Sequence, residues 1–204
     1  MIGFVHHQPP TTHHPYTFPQ VPKVDFNQLP FAARVWVFAS DRPLTGDDAQ
    51  RLLDEVDRLL AQWKAHGAPL RSAREWKDDQ FLAIGVDPTV EQASGCSIDG
   101  LFRGLQALER ALDTRLVAGG RVFYRDPSGR PRLVARADLP TLAASGIVGD
   151  ETPVYDTSVT DARCWRERFV QPARETWVAS LLTQAHASHP SSRSATNSSS
   201  TRKG

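Results

Sequence analysis

Residues 80–105, QFLAIGVDPTVEQASGCSIDGLFRGL, carry the two signals that decide the fold. Gln80–Val86 is a short apolar run closed by Asp87-Pro88, the pattern of a buried strand ending in a turn. Beyond the turn, Ile98, Leu101, Phe102, Leu105, Leu108 and Leu112 recur at helical spacing and mark one buried face. One strand and one amphipathic helix, joined through Ser94-Gly95-Cys96-Ser97-Ile98-Asp99, set the style of the whole core.

Working outward, Arg34–Ala39 is rich in β-branched and aromatic residues and stops at Ser40-Asp41-Arg42-Pro43, so it reads as a second strand. Thr45 with Asp48 resembles a capping box and opens a helix expected to run to about Ala65. Leu52, Leu53, Val56, Leu59, Leu60 and Trp63 give that helix one apolar face, and Gly67 and Pro69 supply a stop. Leu70–Lys77 reads as extended. Arg121–Arg125 and Arg132–Arg136 flank Asp126-Pro127-Ser128-Gly129, a hairpin signal. Further helices are expected at Asp138–Ala144, Val159–Phe169 and Pro172–Leu182, with Pro172 as a first helical residue. Strands and helices mix without regular alternation, which predicts an α+β domain: a small, mostly antiparallel or mixed sheet packed with amphipathic helices.

The ends are different material. Residues 1–24 hold four of the seven histidines and five of the 15 prolines, and 183–204 is Ser-rich. Neither can bury enough apolar surface to offset its ordering entropy, so both are expected to be disordered around a single domain spanning 25–182. The His-His pairs at 6–7 and 13–14 lack a scaffold that would fix metal geometry. Lys23, Arg193, Arg202 and Lys203 lie in these ends, so residues 25–182 hold 20 of the 24 basic side chains and all 23 acidic ones, a net of −3. That balance argues against a general nucleic-acid binder. No apolar run is long enough to span a membrane, and the first residues lack the basic and apolar regions of a secretory signal. Two cysteines are too few for a disulfide framework, so reduced thiols and a cytoplasmic location are expected.

Among the candidate chemical groups, Cys96 stands out. Gly95 permits a tight turn with positive φ, and Cys96 then falls at a helix N-terminus, where unpaired backbone N–H groups favour a thiolate. The bland alternative is an inert packing thiol. Cys164 falls inside the expected 159–169 helix, away from such an end. His66 is the only histidine in 25–182, so any imidazole base must be this one, although it equally suits the end of a helix dipole. Asp87 follows a strand and is the third catalytic candidate, with turn formation as its alternative. Arg34, Arg42, Ser97 and Asp99 are candidate binding side chains, with Ser97 and Asp99 also suited to capping. Near-matches to nucleophile motifs fail: a G-x-S-x-G elbow needs Gly where Asp99 stands, and a Cys-x5-Arg cradle needs Arg where Phe102 stands. No Cys-x-x-Cys or His-x-x-x-His occurs in 25–182, so no metal is expected, and no residue pattern implies a cofactor. Strand alternation puts Arg121 and Arg125 on one face and Arg130, Arg132 and Arg136 on one face of the partner strand. If those faces coincide, an anion-binding surface results; otherwise they are solvated sheet.

Phe26-Asn27-Gln28-Leu29-Pro30, Arg34-Val35-Trp36, Trp63 with His66-Gly67 and Pro69-Leu70, the SGCSID string at 94–99, and Pro172 with Thr176-Trp177 together resemble a family of small uncharacterised bacterial proteins. Its members often carry the label "ABC transporter ATPase". The resemblance covers 25–182 and implies no established activity. The label conflicts with the residues, because a P-loop needs Gly-Lys-Ser/Thr and no lysine here follows a glycine. Two classes stay open, with enzyme status undecided: a thiol-dependent protein acting through Cys96, and a non-catalytic adaptor using an Arg-rich hairpin or an apolar surface to hold a small-molecule or protein partner.

Overall fold

The computed structural model describes residues 24–116 and 120–188. The segments read as disordered lie outside the described residues, except Val24 and residues 183–188. Val24 packs against core side chains.

The central strand is β5 (Phe81–Val86), which pairs antiparallel with β1 (Arg34–Ala39) on one side and β4 (Ser72–Lys77) on the other. All six residues of β5 are buried because both faces of this sheet are covered. Leu82, Ile84 and Val86 point into a core shared with α1 (Gly46–Ala61) and α2 (Gly95–Leu112). Phe81 and Ala83, on the opposite face, join a second core with Phe123, Tyr155, Trp165 and Phe169. A second antiparallel sheet, in the order β7-β6-β8-β9, supplies that core's far wall. Its strands are β6 (Arg121–Arg125), β7 (Pro131–Ala135), β8 (Pro153–Tyr155) and β9 (Val170–Pro172). The outer face of this sheet, through Val122 and Val154, packs on α3 (Leu139–Ala144) and α5 (Ala179–Ser188). α4 (Ala162–Arg168) contributes Trp165 to the middle core. The result is helices, sheet, sheet, helices: an α+β architecture with every ladder antiparallel.

Several local expectations are corrected. α1 ends at Ala61 rather than Ala65, and the chain then forms a small hairpin, β2 (Lys64–Ala65) with β3 (Ala68–Pro69). His66 (φ 50°) and Gly67 (φ 83°) are its turn, so His66 does not sit on a helix end. Thr45 occupies the N-cap of α1, but its side chain makes no capping bond. Pro172 closes β9 instead of opening a helix, and α5 begins at Ala179 and continues past the expected boundary at 182. Gly95 is the first residue of α2 and lacks a positive φ. Cys164 lies in the first turn of α4, its N–H donating to Asp161 Oδ1 at 2.7 Å, not in a helix interior.

Candidate functional site

The SGCSID turn is built as a capped helix start. Ser94 Oγ accepts from the Ser97 N–H at 3.3 Å, and Ser97 Oγ donates back to the Ser94 carbonyl at 2.8 Å. Ser97 is buried and its hydroxyl is spent on this cap, so it holds the turn rather than a ligand. Cys96 follows Gly95 in the same turn and is exposed, and that first turn carries no acidic side chain. Asp99 is exposed on the next turn.

A row of aromatic rings runs up to this turn. Trp63 is buried after α1 and its Nε1 donates to the Ser97 carbonyl at 2.8 Å. Trp36 meets Trp63 edge to face, with ring centroids 5.8 Å apart. The Arg34 guanidinium lies 4.5 Å from the Trp36 ring centre. Arg34 and the Cys96 turn are thereby joined through two tryptophans, and exposed His66 lies on the turn that follows β2, the strand in contact with α2. Trp36 and Trp63 enter the sequence reading as strand and helix-face residues and within the strings that carry the resemblance; the bond from Trp63 to Ser97 spans 34 residues, which no local spacing shows.

Two candidates lie elsewhere. Arg42 Nη2 donates to the Leu112 carbonyl and to Asp48 Oδ2, each at 2.7 Å, so it caps the C-terminal end of α2. At about 1.5 Å rise per residue, that end is roughly 24 Å from Cys96. Asp87 is committed to holding the end of β5. Its side chain is 2% exposed, Oδ2 takes Arg71 Nη1 at 2.8 Å, and Oδ1 accepts from the Thr89 hydroxyl and N–H at 2.7 and 3.0 Å. Burial opposes its charge, but Thr89 and Arg71 outweigh that and hold the carboxyl below its ordinary value. All of its bonds are structural.

Compared with family models, with curated proteins and with solved structures, the chain matches none. Among the described residues, no group of three or more His, Cys, Asp or Glu side chains is arranged to hold a metal ion. No described helix is long and apolar enough to cross a membrane.

The hairpin arginines do not share a face. Arg121, Phe123 and Arg125 are opposite Ala135, Leu133 and Pro131, whereas Arg132 faces with Tyr124. Arg125 Nε donates to Tyr155 Oη at 3.0 Å, and Arg132 Nε to Asp126 Oδ2 at 2.7 Å. One continuous arginine surface across the two strands is excluded by this register.

Proposed function

We propose that the protein acts through the Cys96 thiol, with His66, Asp99 and the Arg34–Trp36 pair as its surroundings, and that it groups with the small bacterial proteins sharing the SGCSID string. One observation carries the reading: Cys96 is exposed in the first turn of an 18-residue helix, among unpaired backbone N–H groups, and that turn itself holds no acidic side chain, Asp99 being the first one along α2. Both cysteines are free, in keeping with a reducing, cytoplasmic setting. Asp87 and Arg42 are structural in this reading. The test is timed iodoacetamide labelling of native protein, read by mass spectrometry. Cys96 is expected to label faster than Cys164, whose thiol is pushed up by burial and by neighbouring Asp161. Cys96→Ser should remove the fast phase. Labelling of Cys96 only after denaturant would end the proposal.

A second reading, a non-catalytic binding module, is favoured by Phe31. This ring is 49% exposed, with the Arg163 and Arg166 guanidinium groups 4.7 and 5.2 Å from its centre. An aromatic flanked by two arginines is the composition of an interface anchor. A Phe31→Ala variant that loses a protein partner while Cys96→Ser keeps it would select this reading.

A further inference from the structure

Away from Cys96, four chain segments border a shallow, open cleft of about 380 Å³: the start of β6 at Gly120 and Arg121, the turn at Arg136, the loop at Thr157 and Ser158, and Trp177. We propose that this cleft binds a small oxyanion carried on a flat ring, independently of the thiol reading.

Charge is the first argument. Two arginines line the cleft and no carboxylate does among its described walls. Arg121 is 23% exposed, and its Nη1 is buried with no hydrogen-bond acceptor. The nearest carboxylate oxygen, Asp41 Oδ2, is 3.8 Å away, beyond hydrogen-bond reach. The other oxygen of Asp41 already accepts from Thr114 Oγ1 and the Arg115 N–H. Nη1 of Arg121 is therefore without an acceptor, while Asp41 Oδ2 stays near enough to offset part of the guanidinium charge. Arg136 makes no ion pair among the described residues; its guanidinium lies 5.1 Å from the centre of the Trp177 ring. Two cations sharing one cleft disfavour each other until an anion sits between them, and the planar donor forks of arginine suit carboxylate and phosphate oxygens.

Shape is the second. Trp177 is 39% exposed, and the backbone on either side of it is tied down. Thr176 Oγ1 accepts from the Val178 N–H and donates to the Ala173 carbonyl, while Ser180 Oγ donates to the Trp177 carbonyl. The Arg136 N–H donates to the Gly120 carbonyl at 2.9 Å, which ties the backbone that carries this side chain to the start of β6. A bare phosphate leaves most of such a volume empty. A ring attached to the oxyanion would meet the exposed Trp177 indole, which lines the cleft and is shared with the Arg136 guanidinium.

The test is calorimetric titration of the full chain with phenyl phosphate, benzoate, inorganic phosphate and phenol. At least one aryl anion should bind saturably and about tenfold more tightly than inorganic phosphate or phenol. The tighter of phenyl phosphate and benzoate identifies the oxyanion as phosphate or carboxylate. Arg136→Gln and Trp177→Leu should each weaken that binding about tenfold with the melting midpoint of Arg136→Gln unchanged. Phenol binding as tightly as the aryl anions, absence of saturable binding by both, or wild-type affinity in Arg136→Gln would overturn the proposal.

Discussion

The indole Nε1 of Trp63 donates to the Ser97 carbonyl across 2.8 Å, tying the segment after α1 to the first turn of α2. Trp76, packed against the same core, has a buried Nε1 with no partner. The two indoles therefore answer differently to loss of the N–H. Trp63→Phe should cost about 1–2 kcal/mol beyond its lost packing, because a satisfied buried bond is removed. Trp76→Phe relieves an unsatisfied donor and should cost less, or stabilise. Chemical denaturation of both variants checks the order, and equal losses would contradict it.

Gly104 lies mid-way along α2, against α1. A Cβ there would stand 2.7 Å from Leu59 Cδ2 and 2.8 Å from Cδ1. Helix propensity alone favours alanine by about 1 kcal/mol, but overpacking costs roughly 1–3. Gly104→Ala should therefore destabilise the protein. In a Leu59→Ala background the clash is gone, and the same change should stabilise by about 1 kcal/mol. The reversal of sign in a double-mutant cycle is the measurement.

Phe81 joins the two sheets. It is fully buried, stacks on Tyr155 at 4.5 Å, and meets Phe123 and Phe169 edge-on at 5.1 Å each. Phe81→Ala should cost about 3–5 kcal/mol. Because the ring belongs to the shared middle core, near-ultraviolet and far-ultraviolet circular dichroism should still lose signal in one coincident transition. Separate melting of the two sheets would show that this core does not couple them.

The β5 and α2 patterns were legible because each expresses a single period: a continuous apolar run for a strand covered on both faces, and a helical spacing from Ile98 to Leu112. The His66 hairpin was not. Trp63 continues the helical spacing of Leu59 and Leu60, although α1 has already ended at Ala61. Only the positive φ at His66 and Gly67 reveals that the stop signal is a β-turn. Pro172 misled for a related reason, since its fixed φ suits the end of an edge strand as well as a helix start. For the site, exposure of Cys96 was readable only as one of two alternatives. The Thr89 bonds of Asp87 are the local turn its sequence already allowed, whereas the Arg42–Leu112 and Asp87–Arg71 bonds span 70 and 16 residues, separations no local spacing encodes.

Asp87 gives the pH-dependent prediction. Burial disfavours its charge, yet Thr89 and Arg71 together lower its folded-state pKa beneath the unfolded value of about 3.9. Its stabilising contribution is then fully present above that unfolded value and is lost as pH falls through the lowered folded one. Asp87→Asn should destabilise the protein by about 1–3 kcal/mol at neutral pH, since the Arg71 guanidinium loses its counter-charge. The variant and the parent should converge in acid, where the parent carboxyl is protonated as well. Urea titrations between neutral and strongly acidic pH measure that convergence. Iodoacetamide labelling of Cys96 supplies the second readout. Because every bond of Asp87 goes to Arg71 or Thr89, the labelling rate should be the same in both proteins; a slower rate at unchanged stability would return Asp87 to the thiol site.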